Sequence, residues 1–164
     1  MKPSDMRSIV FGLVLSLLWA PLGAAEAGRP ASVQPGARDK CPVCGMFVAK
    51  YPDWVAEIRY PDEKTVFFDG VKDLYKYFFN IQTYDPGRSA DEISALFVTD
   101  YYTTELIDAH ETFFVVGSDV YGPMGRELIP FATRQGAEEF IRDHNGKRIL
   151  GFDGITPELI STLD

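Results

Sequence analysis

Apolar and polar side chains along this chain follow two periods, and the switches between them mark its elements. From Trp54 to Tyr60 large apolar residues alternate with polar ones, the period of a half-buried strand. Pro61-Asp62-Glu63-Lys64 is a turn, and Thr65-Val66-Phe67-Phe68 predicts a second strand that closes a hairpin. Then the spacing changes. Val71, Leu74, Tyr75, Phe78 and Phe79 recur at helical intervals, predicting an amphipathic helix over 70–79 with Asp69 as its N-cap. Residues 80–92 read as a loop, Ile93 to Thr99 as a strand, and 100–104 as a bend.

The same order then returns. Strands are predicted at 112–117, 127–131 and 148–152, and a helix at 134–143 capped by Thr133 and ended by Asn145-Gly146. Between the first two of these strands, residues 120–125 form a tight, glycine-lined connection around Pro123-Met124. Pro157 to Ile160 starts a short terminal helical turn. Both halves thus show apolar strand, capping residue and helix with aromatic anchors. The expected fold is α+β: two ββαβ units, residues 41–100 and 101–164, related by an internal repeat. Each is too small to bury its own faces, so they pack as one body.

Ahead of this body the pattern is different. Lys2 and Arg7 precede an apolar run from Ile9 to Ala20, Pro21 breaks it, and small residues follow around Ala25-Glu26-Ala27. Residues 1–27 read as an export signal, too short in its apolar part for the 20 or so residues of a membrane span. No cysteine closely follows the run, so lipid attachment there is not expected, and the product is expected to be soluble and outside the cytoplasm. Residues 28–40 are rich in Pro, Gly and small polar side chains and read as a flexible leader. The formal net charge of −8 argues against nucleic acid and anionic membrane surfaces as partners.

The chemistry concentrates in Cys41-Pro42-Val43-Cys44-Gly45-Met46, which holds both cysteines of the chain. Three sulfurs within six residues favour Cu(I) over hard cations. A zinc finger would need two further ligands at close spacing, whereas His110 and His144 lie thirty-four residues apart. A c-type haem would need histidine where Gly45 stands. A thiol-disulfide exchanger would place the pair at a helix start, but Gly45-Met46-Phe47-Val48 reads as extended. That reading and a structural disulfide stay open beside Cu(I) binding; a bridge across two residues would close only a tiny loop.

Further motifs accompany the cysteines: Phe67-Phe68-Asp69-Gly70 with Lys72-Asp73-Leu74, Thr99-Asp100-Tyr101-Tyr102, Ile107-Asp108-Ala109, Val116-Gly117-Ser118, and Gly122-Pro123-Met124-Gly125 with Glu127-Leu128-Ile129-Pro130-Phe131. Together, over residues 41 to about 153, they resemble the NosL family of nitrous oxide reductase accessory proteins. The resemblance implies a periplasmic Cu(I) chaperone, not an enzyme, that helps assemble the copper centres of nitrous oxide reductase alongside a membrane maturation transporter complex. It also implies paired ββαβ units similar to part of an organomercurial lyase. Many members resemble lipoproteins anchored through a cysteine after the signal; this chain departs from them there. The opening motif also resembles a treble-clef module with a second cysteine pair at its hairpin-to-helix junction. Asp69 and Asp73 stand at that junction here, so a tetrathiolate is excluded, and Asp69 reads better as a helix cap.

The candidate copper ligands are Cys44, Met46, Met124 and Cys41. In an extended segment Cys44 and Met46, at i and i+2, face the same way. Met124, between glycines and matching the family motif, is the third donor, with core filling as its bland alternative. Cys41 is a fourth donor or an exchange ligand. His144 is expected to be solvated. Trp54 is expected in the core, with Tyr101 and Tyr102 there or on a docking rim. The expected mechanism is stepwise ligand exchange by a monomer with no small-molecule substrate.

Overall fold

The computed structural model describes residues 33–164, so the expected export signal and the start of the leader lie outside the described residues. The alternating pattern builds a first sheet. β1 (Ala56–Arg59) and β2 (Thr65–Phe68) form the expected hairpin, with Ala56 opposite Phe68 and Ile58 opposite Val66. After α1 (Val71–Phe79) and a single turn, α2 (Ile81–Tyr84), β3 (Ala95–Thr99) returns antiparallel on the other side of β1. β4 (Leu106–Asp108) then pairs with β3 and completes the order β2-β1-β3-β4. Both α2 and β4 fall where no regular element is expected. Each is too short for a period to show. β4 belongs to the first sheet although it lies past residue 100.

The second sheet repeats the plan. β5 (Phe113–Val116) is central; a ribbon of β6 (Tyr121–Gly122) and β7 (Gly125–Arg126) turns at Pro123-Met124; β8 (Ile129–Phe131) lies on one side of β5. α3 (Arg134–Asp143) leads to β9 (Arg148–Leu150) on the other side, and α4 (Pro157–Ser161) ends the chain. In both sheets the first strand is central, the second flanks it, and the strand after the helix returns antiparallel on the far side. The α+β architecture is as expected.

α1 lies between the two sheets, which explains why six of its nine residues are buried and none is exposed. Tyr77 packs edge-on to Phe68 of β2, and Tyr75 packs edge-on to Phe114 of β5. Phe114 and Val116 therefore join the first unit's core, while Val115 joins Ile129, Phe131, Ala137 and Phe140 beneath α3. The two faces of β5 serve two cores, as alternation along a strand requires. Trp54 sits at the edge of the second core against Tyr101, and Tyr101 packs on Phe140.

The two helix starts differ. Thr133 caps α3 as expected, its hydroxyl accepting from the Gly136 N–H at 3.1 Å. Asp69 does not cap α1. The N-cap position is Gly70, without a side-chain cap of its own. The acceptor comes from the second unit: the Glu127 carboxylate takes the Lys72 N–H at 2.6 Å and its neighbour's Leu128 N–H at 2.9 Å.

Burial pushes the Glu127 carboxyl from an ordinary value of 4.5 up to about 8, against the lowering pull of these N–H groups and Lys72. The folded state therefore holds this proton to higher pH than the unfolded chain does. Glu127's contribution to stability should be full below pH 4.5 and decline as pH rises to about 8. Urea unfolding across this range should show wild type losing stability relative to Glu127→Gln, which cannot ionise, as pH rises; a difference that does not change with pH would contradict the assignment.

Candidate metal centre

Cys41 to Met46 forms a closed knuckle, so Cys44 to Met46 is not the extended segment expected. Cys41 N–H donates to the Met46 carbonyl and Gly45 N–H to the Cys41 carbonyl, both at 2.9 Å, and Lys40 and Phe47 bridge antiparallel below. Gly45 takes a left-handed φ of +77°, which a side chain would disfavour. The same-face argument for Cys44 and Met46 therefore fails, because it needs regular extended backbone. The knuckle instead aims backbone N–H groups at sulfur: those of Cys44 and Val43 at Cys41, and that of Met46 at Cys44.

Facing the knuckle is the start of α1. Cys44 Sγ donates to Asp69 Oδ1 at 3.1 Å, and Cys41 Sγ to Asp73 Oδ2 at 3.3 Å. One donor atom from each of Cys41, Cys44, Asp69 and Asp73 lies within 4.8 Å of the others. Cys41, Asp69 and Asp73 are buried and Cys44 half-buried, so the cluster opens toward solvent at Cys44. Asp69 Oδ2 is buried without a hydrogen-bond partner. An orphaned oxygen of this kind costs free energy that a bound cation would recover.

Electrostatics say the same. Burial, with the carboxylates adding to it, pushes Cys44 up to about 12 and Cys41 further still, while the knuckle N–H groups pull the other way. A cation between the sulfurs would reverse the balance, favouring thiolates that the N–H groups already face. The cluster thus combines two soft and two hard donors, and the reading of Asp69 as a cap is corrected: its carboxylate belongs to the site. Sequence reasoning had the needed signal in the Asp69-Asp73 spacing at the hairpin-to-helix junction. It used that signal only to exclude a tetrathiolate.

Of the other expected ligands, Met46 is half-buried at the base of the knuckle. Met124 is 43% exposed at the tip of the β6–β7 ribbon. Its carbonyl accepts from Lys72 Nζ at 2.8 Å, which ties the ribbon to the first turn of α1. His144 lies apart, with Nδ1 3.3 Å from Asp119 and its ring against Phe140. Both cysteines are free, so the structural disulfide is not formed here. Among the described residues no helix is long and apolar enough to cross a membrane.

An α+β body of two like sheets, with a buried dithiol–dicarboxylate cluster at their shared helix, has the donor set of a metal-binding protein. The chain belongs to the NosL family, whose model matches residues 32–160. It is 27% identical over 177 residues to the copper-binding lipoprotein NosL of Stutzerimonas stutzeri, covering 94% of this chain and 85% of that one. The crystal structure of the copper chaperone NosL from Shewanella denitrificans matches with a TM-score of 0.67 and 25% identity, covering 80% of this chain and 98% of that one.

The Asp69 carboxylate holds the Cys44 proton in place, so removing its charge should lower the thiol pKa. Asp69→Asn should speed alkylation of Cys44 by iodoacetamide at pH 8 by several-fold. Mass spectrometry of the modified peptides checks this; an unchanged or slower rate would show that the carboxylate does not govern the thiol.

Proposed function

We propose that the protein is a periplasmic Cu(I) metallochaperone that supplies copper to the assembling centres of nitrous oxide reductase. The observation that carries this reading is the pairing of both thiols with buried carboxylates in a family whose relatives are described as copper-binding and as copper chaperones. Export follows from the signal read in residues 1–27, and a relative described as a lipoprotein agrees with a place outside the cytoplasm. The receiving partners are nitrous oxide reductase and its membrane maturation transporter complex.

The chain's own groups suggest how loading and release balance. Each thiol already points its proton at a carboxylate oxygen. When Cu(I) binds, Cys44 and Cys41 give up their protons along those contacts, and the knuckle N–H groups steady the thiolates. Met46 and Met124 complete a sulfur environment without adding charge. When a partner's sulfur or nitrogen takes the metal, each proton returns to a thiol that burial strongly favours in its neutral form. Release is thus assisted by re-protonation, which suits a carrier better than a store. No bond in a substrate is made or broken, and the protein acts without catalysis.

A thiol-disulfide oxidoreductase is disfavoured by the same geometry. Such an enzyme needs a thiolate at neutral pH, and here both thiols are pushed up, Cys44 to about 12 and Cys41 further still.

Anaerobic Cu(I) titration in competition with a chromophoric chelator tests the proposal. Wild type should bind one equivalent. Cys44→Ser should weaken binding by more than the 10–100-fold typical of outer-shell partners. Met46→Leu and Met124→Leu should each cost about tenfold, or 1.4 kcal/mol. Uptake unaffected by all three substitutions would refute the reading.

A further inference from the structure

We infer that Glu127 is a positioning residue for copper capture, holding the cluster of the first unit and the Met124 turn of the second in one frame; this rests on the copper reading above. The frame passes through a single residue, Lys72. Glu127 takes its backbone N–H at 2.6 Å, and the Met124 carbonyl takes its side-chain ammonium at 2.8 Å. A second carbonyl, that of Leu163, also accepts from the ammonium, at 3.1 Å. The next residue is Asp73, whose carboxylate receives the Cys41 thiol. Two contacts spanning more than fifty residues of sequence therefore meet one position from the metal cluster.

The capping of α1 shows why this carboxylate bears on the metal. An aspartate just ahead of a helix ordinarily accepts from the first-turn N–H groups. Gly70 stands in that place here, and Asp69, one residue earlier, is directed to Cys44 and keeps one oxygen unpartnered. It is free to do so because Glu127 caps the helix in its stead. Glu127 lies only 3% exposed, in a space that two glycines leave open. A Cβ on Gly70 would collide with Glu127 Oε2, and one on Gly122 would come within 3.2 Å of the same oxygen. Without Glu127, the exposed N–H groups of α1 compete with the cluster for Asp69, and Lys72 loses the anchor that sets Met124 against the same turn.

The test measures Cu(I) affinity and thermal stability of the mature protein, using the chelator competition. Measured at pH 9, where Glu127 is ionised, Glu127→Gln puts a neutral amide where a carboxylate faces two N–H donors. Gly70→Ala displaces the same carboxylate while removing no polar group, and the extended backbone at Gly70, with φ −176°, accepts alanine. Each should weaken Cu(I) binding about tenfold, within the range seen when partners that orient metal ligands are lost. Ile129→Val, in the core beneath α3, supplies a destabilised control whose affinity should stay at the wild-type value. Because Glu127 acts partly through Asp69, Asp69→Asn combined with Glu127→Gln should cost less than the sum of the two alone.

If wild type takes up Cu(I) while Glu127→Gln and Gly70→Ala match it in affinity, or lose no more than the control at equal loss of stability, the inference is overturned. Fully additive losses in the double variant overturn it as well. Should Glu127→Gln fail to fold, Gly70→Ala carries the comparison against the control. Failure of wild type itself to bind Cu(I) overturns the copper reading first.

Discussion

Everything at this site follows from one costly arrangement: two carboxylates buried against two thiols. Placing Asp69 and Asp73 out of water calls for compensating positive charge or protons nearby. In the metal-free protein the thiol protons supply it, and they do so incompletely, since one oxygen of Asp69 is left without a partner. A bound cation would supply positive charge in their stead, so the same four groups suit either protons or a metal.

That arrangement depends on the scaffold. The Cys41 knuckle belongs to the chain ahead of β1, the carboxylates to the start of α1, and the Met124 ribbon to the second sheet. None of these could hold its position alone. α1 is the common element: both sheets pack on it, and its first turn meets the knuckle, Glu127 and Met124. A helix buried on nearly every side has little freedom to rotate or slide, so donors that converge on it keep a fixed spacing.

Much of the fold was legible in the sequence because it rests on local period and local capping. The β1–β2 hairpin, both long helices and the Thr133 cap follow from spacing that a few neighbouring residues determine. What escaped depends on distance or on backbone shape. Gly45 turns the chain left-handed, so Met46 folds back beneath Cys41 where an extended reading put it alongside Cys44. Asp69 and Thr133 carry the same local signal for a helix start. Only Glu127, far along the chain, separates their roles. The cysteine pair and its soft-donor character are plain in the sequence, whereas Asp69 reads there as a helix cap and Asp73 only as a residue that replaces a cysteine.

In the proposed function, sulfur from the knuckle receives copper directly. X-ray absorption at the copper edge of the anaerobically loaded, reduced protein addresses it without any substitution. Cu(I) with a coordination shell dominated by sulfur, at low coordination number, is the expected result. A first shell made of nitrogen and oxygen alone, with no sulfur scattering, would contradict it.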